Sequence, residues 1–298
     1  MAPKRAAAVG AFGVLGLAGS FVEPHLPVLR HVTIPLLPTR HPPIRLLHLS
    51  DLHLLPRHGR RSRWIRALAR LEADLVVCTG DLLSSPEAVA LLGATLGALT
   101  ARGTPAFFVP GNNDYYRPVR PSLRRYLRPG PSVRRGPDLP WAPTVQALEA
   151  VGWTELTHRR VTVPVGDLTL TLAGTDDAHL RRDVYPRVAG RIGTDLGIAV
   201  LHTPQRRLLE AFAADGYRLM LAGHTHGGQV RLPGIGALLT NCDLPRSRAR
   251  GLSRQPAPEP SWLHVSAGLG TSPHAPIRVN CRPEASLLTL AGSGSLGG

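Results

Sequence analysis

A mixed α/β fold is predicted by three features of this sequence. Apolar runs of strand length recur along it, stretches with helical apolar spacing separate them, and several runs end in turns rich in Gly, Asp, Asn or His. The first run, Ile44–Leu49 (IRLLHL), leads directly into Ser50 and Asp51. Over residues 62–72, Trp64, Ile65, Leu68 and Leu71 share one helical face with arginines opposite, the pattern of a helix lying on a sheet. Residues 74–79 (DLVVCT) form a second strand ending in Gly80-Asp81, residues 86–100 a second helix, and residues 105–109 a third strand ending in Pro110-Gly111.

From residue 115 to 141 the alternation stops. This stretch holds Arg117, Arg120, Arg124, Arg125, Arg128, Arg134 and Arg135 among many prolines and reads as a surface excursion. It is either a platform for an anionic head group or membrane surface, or a solvated loop. Residues 144–151 restore a helical pattern, and 161–165 with 168–172 read as a hairpin about Gly166-Asp167. A strand at 197–201, a helix at 204–213 and a strand at 217–221 follow, with later short strands at 229–232, 262–265 and 287–290.

The ends of the chain read differently. Lys4 and Arg5 precede an uncharged, mostly apolar stretch, so residues 1–22 are expected to be a signal peptide or membrane anchor, with the catalytic domain outside the cytoplasm. Six prolines make 23–43 an expected extended linker. The folded domain is expected over 44–290, and the Gly/Ser-rich 291–298 as a flexible tail. The net charge is +15, and all of the 35 basic residues except Lys4 are arginine. That balance favours anionic partners without selecting one. Three cysteines exclude a disulfide framework; Cys78 reads as a small buried hydrophobe, and a Cys242–Cys281 bridge is open.

The chemistry lies at the strand ends. The first strand gives Asp51-Leu52-His53, the second Gly80-Asp81, the third Gly111-Asn112-Asn113-Asp114, a later one His202, and the last Gly223-His224-Thr225-His226-Gly227. Ligands of α/β sheets bind beyond the carboxyl ends of the strands. Carboxylate, imidazole and amide oxygen together suit Mn, Fe or Zn. Each fragment alone is commonplace; five in order, each after a strand, are not.

This ordered set resembles the calcineurin-like metallophosphoesterase superfamily, and within it the bacterial, often membrane-associated branch, some of whose members hydrolyse the pyrophosphate of UDP-diacylglucosamine. The resemblance covers about residues 44–290 and implies a four-layer α/β/β/α sandwich. It further implies two divalent metal ions. Asp51, His53 and His226 would hold one, Asn112, His202 and His224 the other, and Asp81 would bridge them. A hydroxide generated between such ions attacks phosphorus in line, hydrolysing a phosphomonoester, phosphodiester or pyrophosphate. Asn113 stands where the family usually carries a catalytic His. An amide is no general acid, a role typically contributing ~10²–10⁴-fold.

The expected partner is an anionic phosphate-containing substrate, with a lipid or a nucleotide-sugar as candidates and a membrane surface as a further contact. A catalytically weak metal-binding scaffold and a basic nucleic-acid-binding protein are the alternatives. Few aromatics and no reader motif mean that no specific nucleic acid is expected. Asp114 is expected to orient the Asn112 loop, His48 to be structural, and Asp176, Asp177 and His179 to cap a turn or line the site. Tyr115 and Tyr116 either line the cleft or pack. The turn at 266–271 (SAGLGT) lacks the lysine of a nucleotide cradle.

Overall fold

The apolar runs form two six-stranded sheets packed face to face. The structure is a computed structural model that describes residues 19–39, 41–118, 137–255 and 260–292. The first sheet contains β1 (Val28–Leu37), β2 (Ile44–Leu49), β3 (Leu75–Cys78), β4 (Ala106–Phe108), β5 (Trp153–Glu155) and β14 (Glu284–Gly292), in the order β1-β14-β2-β3-β4-β5. The second contains β6 (Arg159–Val165), β7 (Leu168–Gly174), β8 (Leu196–Val200), β9 (Leu219–Ala222), β12 (Gly251–Gln255) and β13 (Ser261–Val265), in the order β12-β13-β9-β8-β7-β6. A small hairpin, β10 (Arg231–Leu232) with β11 (Gly236–Ala237), stands apart.

Strands β2 to β5 are parallel neighbours, as are β13, β9, β8 and β7. Parallel strands are covered on both faces, which is why these segments read as continuous apolar runs. Their alternate residues divide between layers. Ile44, Leu46, Leu75, Val77 and Phe107 meet Leu170, Leu172, Ile198, Val200 and Leu219 between the sheets. Leu47, Leu49, Val76, Cys78 and Phe108 face the other way, toward the helices Gly59–Ala67, Val89–Thr100 and Trp141–Glu149. Ala199, Met220 and Val265 face the helix Arg206–Ala214, through its Leu208, Leu209 and Phe212. The outcome is the expected four-layer α/β/β/α sandwich.

The Pro-rich stretch 23–43 is extended, but not as a linker outside the domain. Its residues 28–37 are β1, paired in parallel with β14. Proline cannot sit in a central strand, yet an edge strand tolerates Pro35, where the register shifts. The tail expected over 291–298 also begins inside the sheet, since β14 runs to Gly292. Residues 1–18, most of the arginine-rich excursion (119–136) and 293–298 lie outside the described residues. Among the described residues no helix is long and apolar enough to cross a membrane. The hairpin about Gly166-Asp167 is β6–β7, and Cys78, Cys242 and Cys281 are all free.

Candidate metal centre

Both sheets deliver their polar turns to one place. Asp51 and His53 follow β2, Asp81 follows β3, Asn112 and Asn113 follow β4, His202 follows β8, and His224 and His226 follow β9. Donor atoms of Asp51, His53, Asp81 and His226, all buried, lie within 4.8 Å of one another. Asp81 is central: its Oδ2 is 3.3 Å from His53 Nε2 and its Oδ1 is 3.5 Å from His202 Nε2. His226 Nε2 lies 3.5 Å from Asp51 Oδ1, and His224 Nδ1 lies 3.3 Å from His202 Nε2. Asn113 donates to Asp81 twice, from its backbone N–H to Oδ1 (2.8 Å) and from its amide to Oδ2 (2.7 Å). Its neighbour Asn112 has an amide oxygen that is buried without a hydrogen-bond partner.

The far nitrogen of each ring is held, which turns the other inward. His202 Nδ1 bonds the Thr79 carbonyl (2.7 Å), His226 Nδ1 the Gly270 carbonyl (3.2 Å) and His224 Nε2 the Asn241 carbonyl (3.2 Å). A carbonyl only accepts, so each of these nitrogens carries a proton; in the neutral His224 and His226 rings the opposite lone pair faces the centre, and His202 turns Nε2 toward Asp81. His53 Nδ1 is 3.2 Å from Ser84 Oγ.

The turns are backbone-strained where they present these groups. Asp51, His53, Asp81, His224 and His226 all have φ between +43° and +68°, a region non-glycine residues seldom occupy. Close approach needs glycine as well: a Cβ on Gly223 would stand 2.5 Å from Asp51 Oδ2. Asp114 ties two turns together, its Oδ1 accepting from Leu82 N (2.7 Å) and Leu83 N (3.2 Å) and its Oδ2 from Gly111 N (2.8 Å). This is the orienting role expected of it.

Electrostatically the site is a set of bases around acids. Burial disfavours the charged forms of His53, down to about 4, and of His224 and His226. Burial acts the same way on His202, but Asp81, then Asp51 and Asp177, outweigh it and lift its pKa to about 9. Burial opposes ionisation of Asp81 too, yet His202, His53 and the Asn113 bonds hold it well below the usual carboxylate range. Burial and Asp81 together raise Asp114 to about 7.

With this geometry, the sequence model of the calcineurin-like phosphoesterases matches residues 44–228. The chain belongs to that family. It is similar to Bacillus subtilis YpbG, 27% identical over 255 residues (84% of this chain, 82% of that protein). It is similar to the Escherichia coli phosphodiesterase YaeI, 27% identical over 253 residues (83% and 82%). A bovine transmembrane protein with metallophosphoesterase domain is 28% identical over 311 residues, 97% of this chain but 63% of that protein. Among solved structures, a Haemophilus influenzae NAD nucleotidase covers 83% of this chain and is covered over 49% of its own, at 12% identity and a TM-score of 0.45.

The residues fit divalent cations on grounds of their own. Inward-facing imidazole lone pairs and ionised carboxylates are borderline-to-hard donors, and the buried amide oxygen of Asn112 lacks any protein partner, a deficit that a cation would satisfy.

Several supporting residues besides His48 were not singled out from sequence. His48, expected to be structural, bonds His264 (Nδ1 to Nδ1, 2.9 Å) and Thr79 Oγ1 (3.0 Å). From Thr79 a hydroxyl chain runs through Ser50 (2.7 Å) to Asp51 Oδ2 (2.5 Å). The buried Arg278 binds the carbonyls of Ala267 (2.7 Å), Gly268 (3.1 Å) and Gly270 (2.7 Å), fastening the 266–271 turn beneath Asp51. Of the alternatives for Asp176, Asp177 and His179, both are realised. Asp177 caps its turn at Leu180 N (2.9 Å), and the His179 ring lies 4.9 Å from that of His224.

Proposed function

We propose that the chain is a binuclear metal-dependent phosphohydrolase, favouring esters or pyrophosphates whose leaving group departs as a stable anion. The observation that carries this reading is the split of Asp81, one carboxylate oxygen beside His53 and the other beside His202. Asp51, His53 and His226 would hold one ion and Asn112, His202 and His224 the other, with Mn, Fe or Zn compatible with the donors. When bound, such a pair supplies Lewis acidity that makes a nucleophile from water near neutral pH and offsets charge on the phosphoryl oxygens.

The chain's own contribution is preorganisation. The carbonyls of Thr79, Gly270 and Asn241 fix the orientation of three histidine rings, and Asp114 locks the Asp81 turn to the Asn112 turn. Asn113 supplies no acidic proton to a departing oxygen, and its amide is engaged by Asp81. Leaving groups of low basicity need no such proton. The similarity to a protein named a phosphodiesterase supports including diesters among the substrates.

The test is elemental analysis of the full chain coupled to a screen of aryl and alkyl phosphate esters, phosphodiesters and UDP-sugars in Mn²⁺. Aryl esters or pyrophosphates should turn over faster than alkyl esters, and Asp81→Asn should lose both activity and bound metal. Equal aryl and alkyl rates would overturn the leaving-group preference. No turnover by metal-loaded wild type would leave a metal-binding scaffold, the reading Asn113 itself favours.

A further inference from the structure

Seven large hydrophobic side chains are exposed among the described residues: Phe21 and Val22 (each 55%), Leu26 (42%), Val184 (43%), Leu232 (39%), Ile235 (65%) and Leu239 (60%). All but Val184 lie on two segments, 19–26 and 229–239, fastened to the same short stretch, 278–282, which turns at Asn280 (φ +51°). On one side Arg278 N donates to the Ser20 carbonyl (2.9 Å), Asn280 N to Glu23 Oε2 (2.9 Å) and Arg282 Nε to the Leu26 carbonyl (2.8 Å). On the other, Arg231 N donates to the Val279 carbonyl and Val279 N to the Gln229 carbonyl, each at 2.9 Å. Consecutive residues, Arg278 and Val279, thus bond one segment each, which anchors the two apolar groups on the same short stretch. Scattered exposed leucines need no explanation, but a cluster does.

Charge and connectivity identify what covers it. Between residues 229 and 250 the chain carries Arg231, Arg246, Arg248 and Arg250 against one acid, Asp243. Arg246 bonds the Leu238 carbonyl (3.1 Å), beside the exposed Leu239. Phe21 and Val22 of the patch end the uncharged stretch 6–22 of the sequence. Apolar side chains with Arg231 and Arg246 beside them, continuous with an apolar segment, match an anionic bilayer surface in both of its attractive terms. The patch also adjoins the metal centre: Asn241 holds His224, and the Cys281 thiol bonds the His226 carbonyl (3.3 Å).

We propose that the Leu232–Ile235–Leu239 hairpin, with Phe21, Val22 and Leu26, is a membrane-docking surface for anionic lipid. It would seat the catalytic centre at the head-group layer, where a lipid-linked phosphate is the substrate it meets. That last clause rests on the phosphohydrolase reading; the docking itself does not.

Two variants of the full chain test it on vesicles of phosphatidylcholine with and without phosphatidylglycerol. Ile235→Trp should show fluorescence quenched by brominated acyl chains, above the wild-type background, and only with anionic vesicles. The combined Leu232→Asp, Ile235→Asp and Leu239→Asp chain should lose ~10-fold or more of its vesicle partitioning while hydrolysing a soluble aryl phosphate as wild type does. Unchanged partitioning of the triple variant, or no quenching of the Ile235→Trp chain, overturns the proposal. So does concentration-dependent self-association that buries position 235 without vesicle binding, which would assign the patch to a second copy. Docking without hydrolysis of any phosphate ester would sink the catalytic reading alone; hydrolysis of soluble esters without docking would sink this surface alone.

Discussion

At Asn113 a side-chain amide bonded to Asp81 Oδ2 occupies the place of a proton donor. Asn113→His should therefore raise turnover on alkyl esters, by up to ~10²-fold, with little gain on aryl esters. Steady-state rates on a matched aryl and alkyl pair measure it, and no change would mean that another group donates the proton. A second residue-scale outcome concerns His48 and His264, which meet between the sheets. Burial lowers His264 to about 4 and His48 well below its ordinary value. Both pKa values are depressed in the fold. Their contribution to stability is thus complete above about 6.5, where the unfolded chain's histidines are also neutral, and falls as pH drops toward 4. The expected slope is about 1.4 kcal/mol per pH unit per group. In urea denaturation between pH 6.5 and 5, His264→Asn should show a shallower decline than wild type, and parallel declines would refute the assignment.

Turns rather than strands carry the strain, and one buried cation holds the turn that supports Asp51. Arg278→Met would leave the Ala267 carbonyl without its donor and remove one of two donors from the carbonyls of Gly268 and Gly270. An unsatisfied buried acceptor costs about 1–3 kcal/mol, so the variant should lose several degrees of Tm. Because Gly270 also holds His226, it should bind Mn²⁺ more weakly in calorimetry; unaltered affinity would show the turn to be only structural. Neither residue type nor spacing revealed Arg278 beforehand, since it is one arginine among many in a basic chain. His264 was equally hidden, because it lies inside β13 with no turn motif beside it. What was legible was local: apolar runs with polar turns at their carboxyl ends, which is how Asp51, Asp81, His202 and His224 stood out. Pairing over long separations was not. Nothing in periodicity says that β14 inserts between β1 and β2, antiparallel to β2 and parallel to β1. For that reason the Pro-rich 23–43 read as a linker when its centre is a sheet edge.

For the molecule as a whole, the centre is where the two sheets are joined by polar groups instead of by the apolar layer between them. Asp51, His53, Asp81 and Asn112 come from the first sheet and His202, His224 and His226 from the second. Without cations, the inward lone pairs of the neutral His224 and His226 rings and the orphan oxygen of Asn112 lack an electrophile. Cations bound only by the folded chain stabilise it by mass action, about 2.7 kcal/mol at a hundredfold excess over Kd. In a chain of this size that corresponds to roughly 4 °C in Tm. Chelation should lower Tm by that amount and Mn²⁺ should restore it. Hydrogen exchange should accelerate first at the turns after β2 and β9, which belong to opposite sheets, while the helix Val89–Thr100, packed on the far side of the first sheet, stays protected. Exchange confined to one sheet's turns would mean that the ions do not bridge the sheets. An unchanged Tm with unchanged exchange throughout would mean that the cluster holds itself together without them.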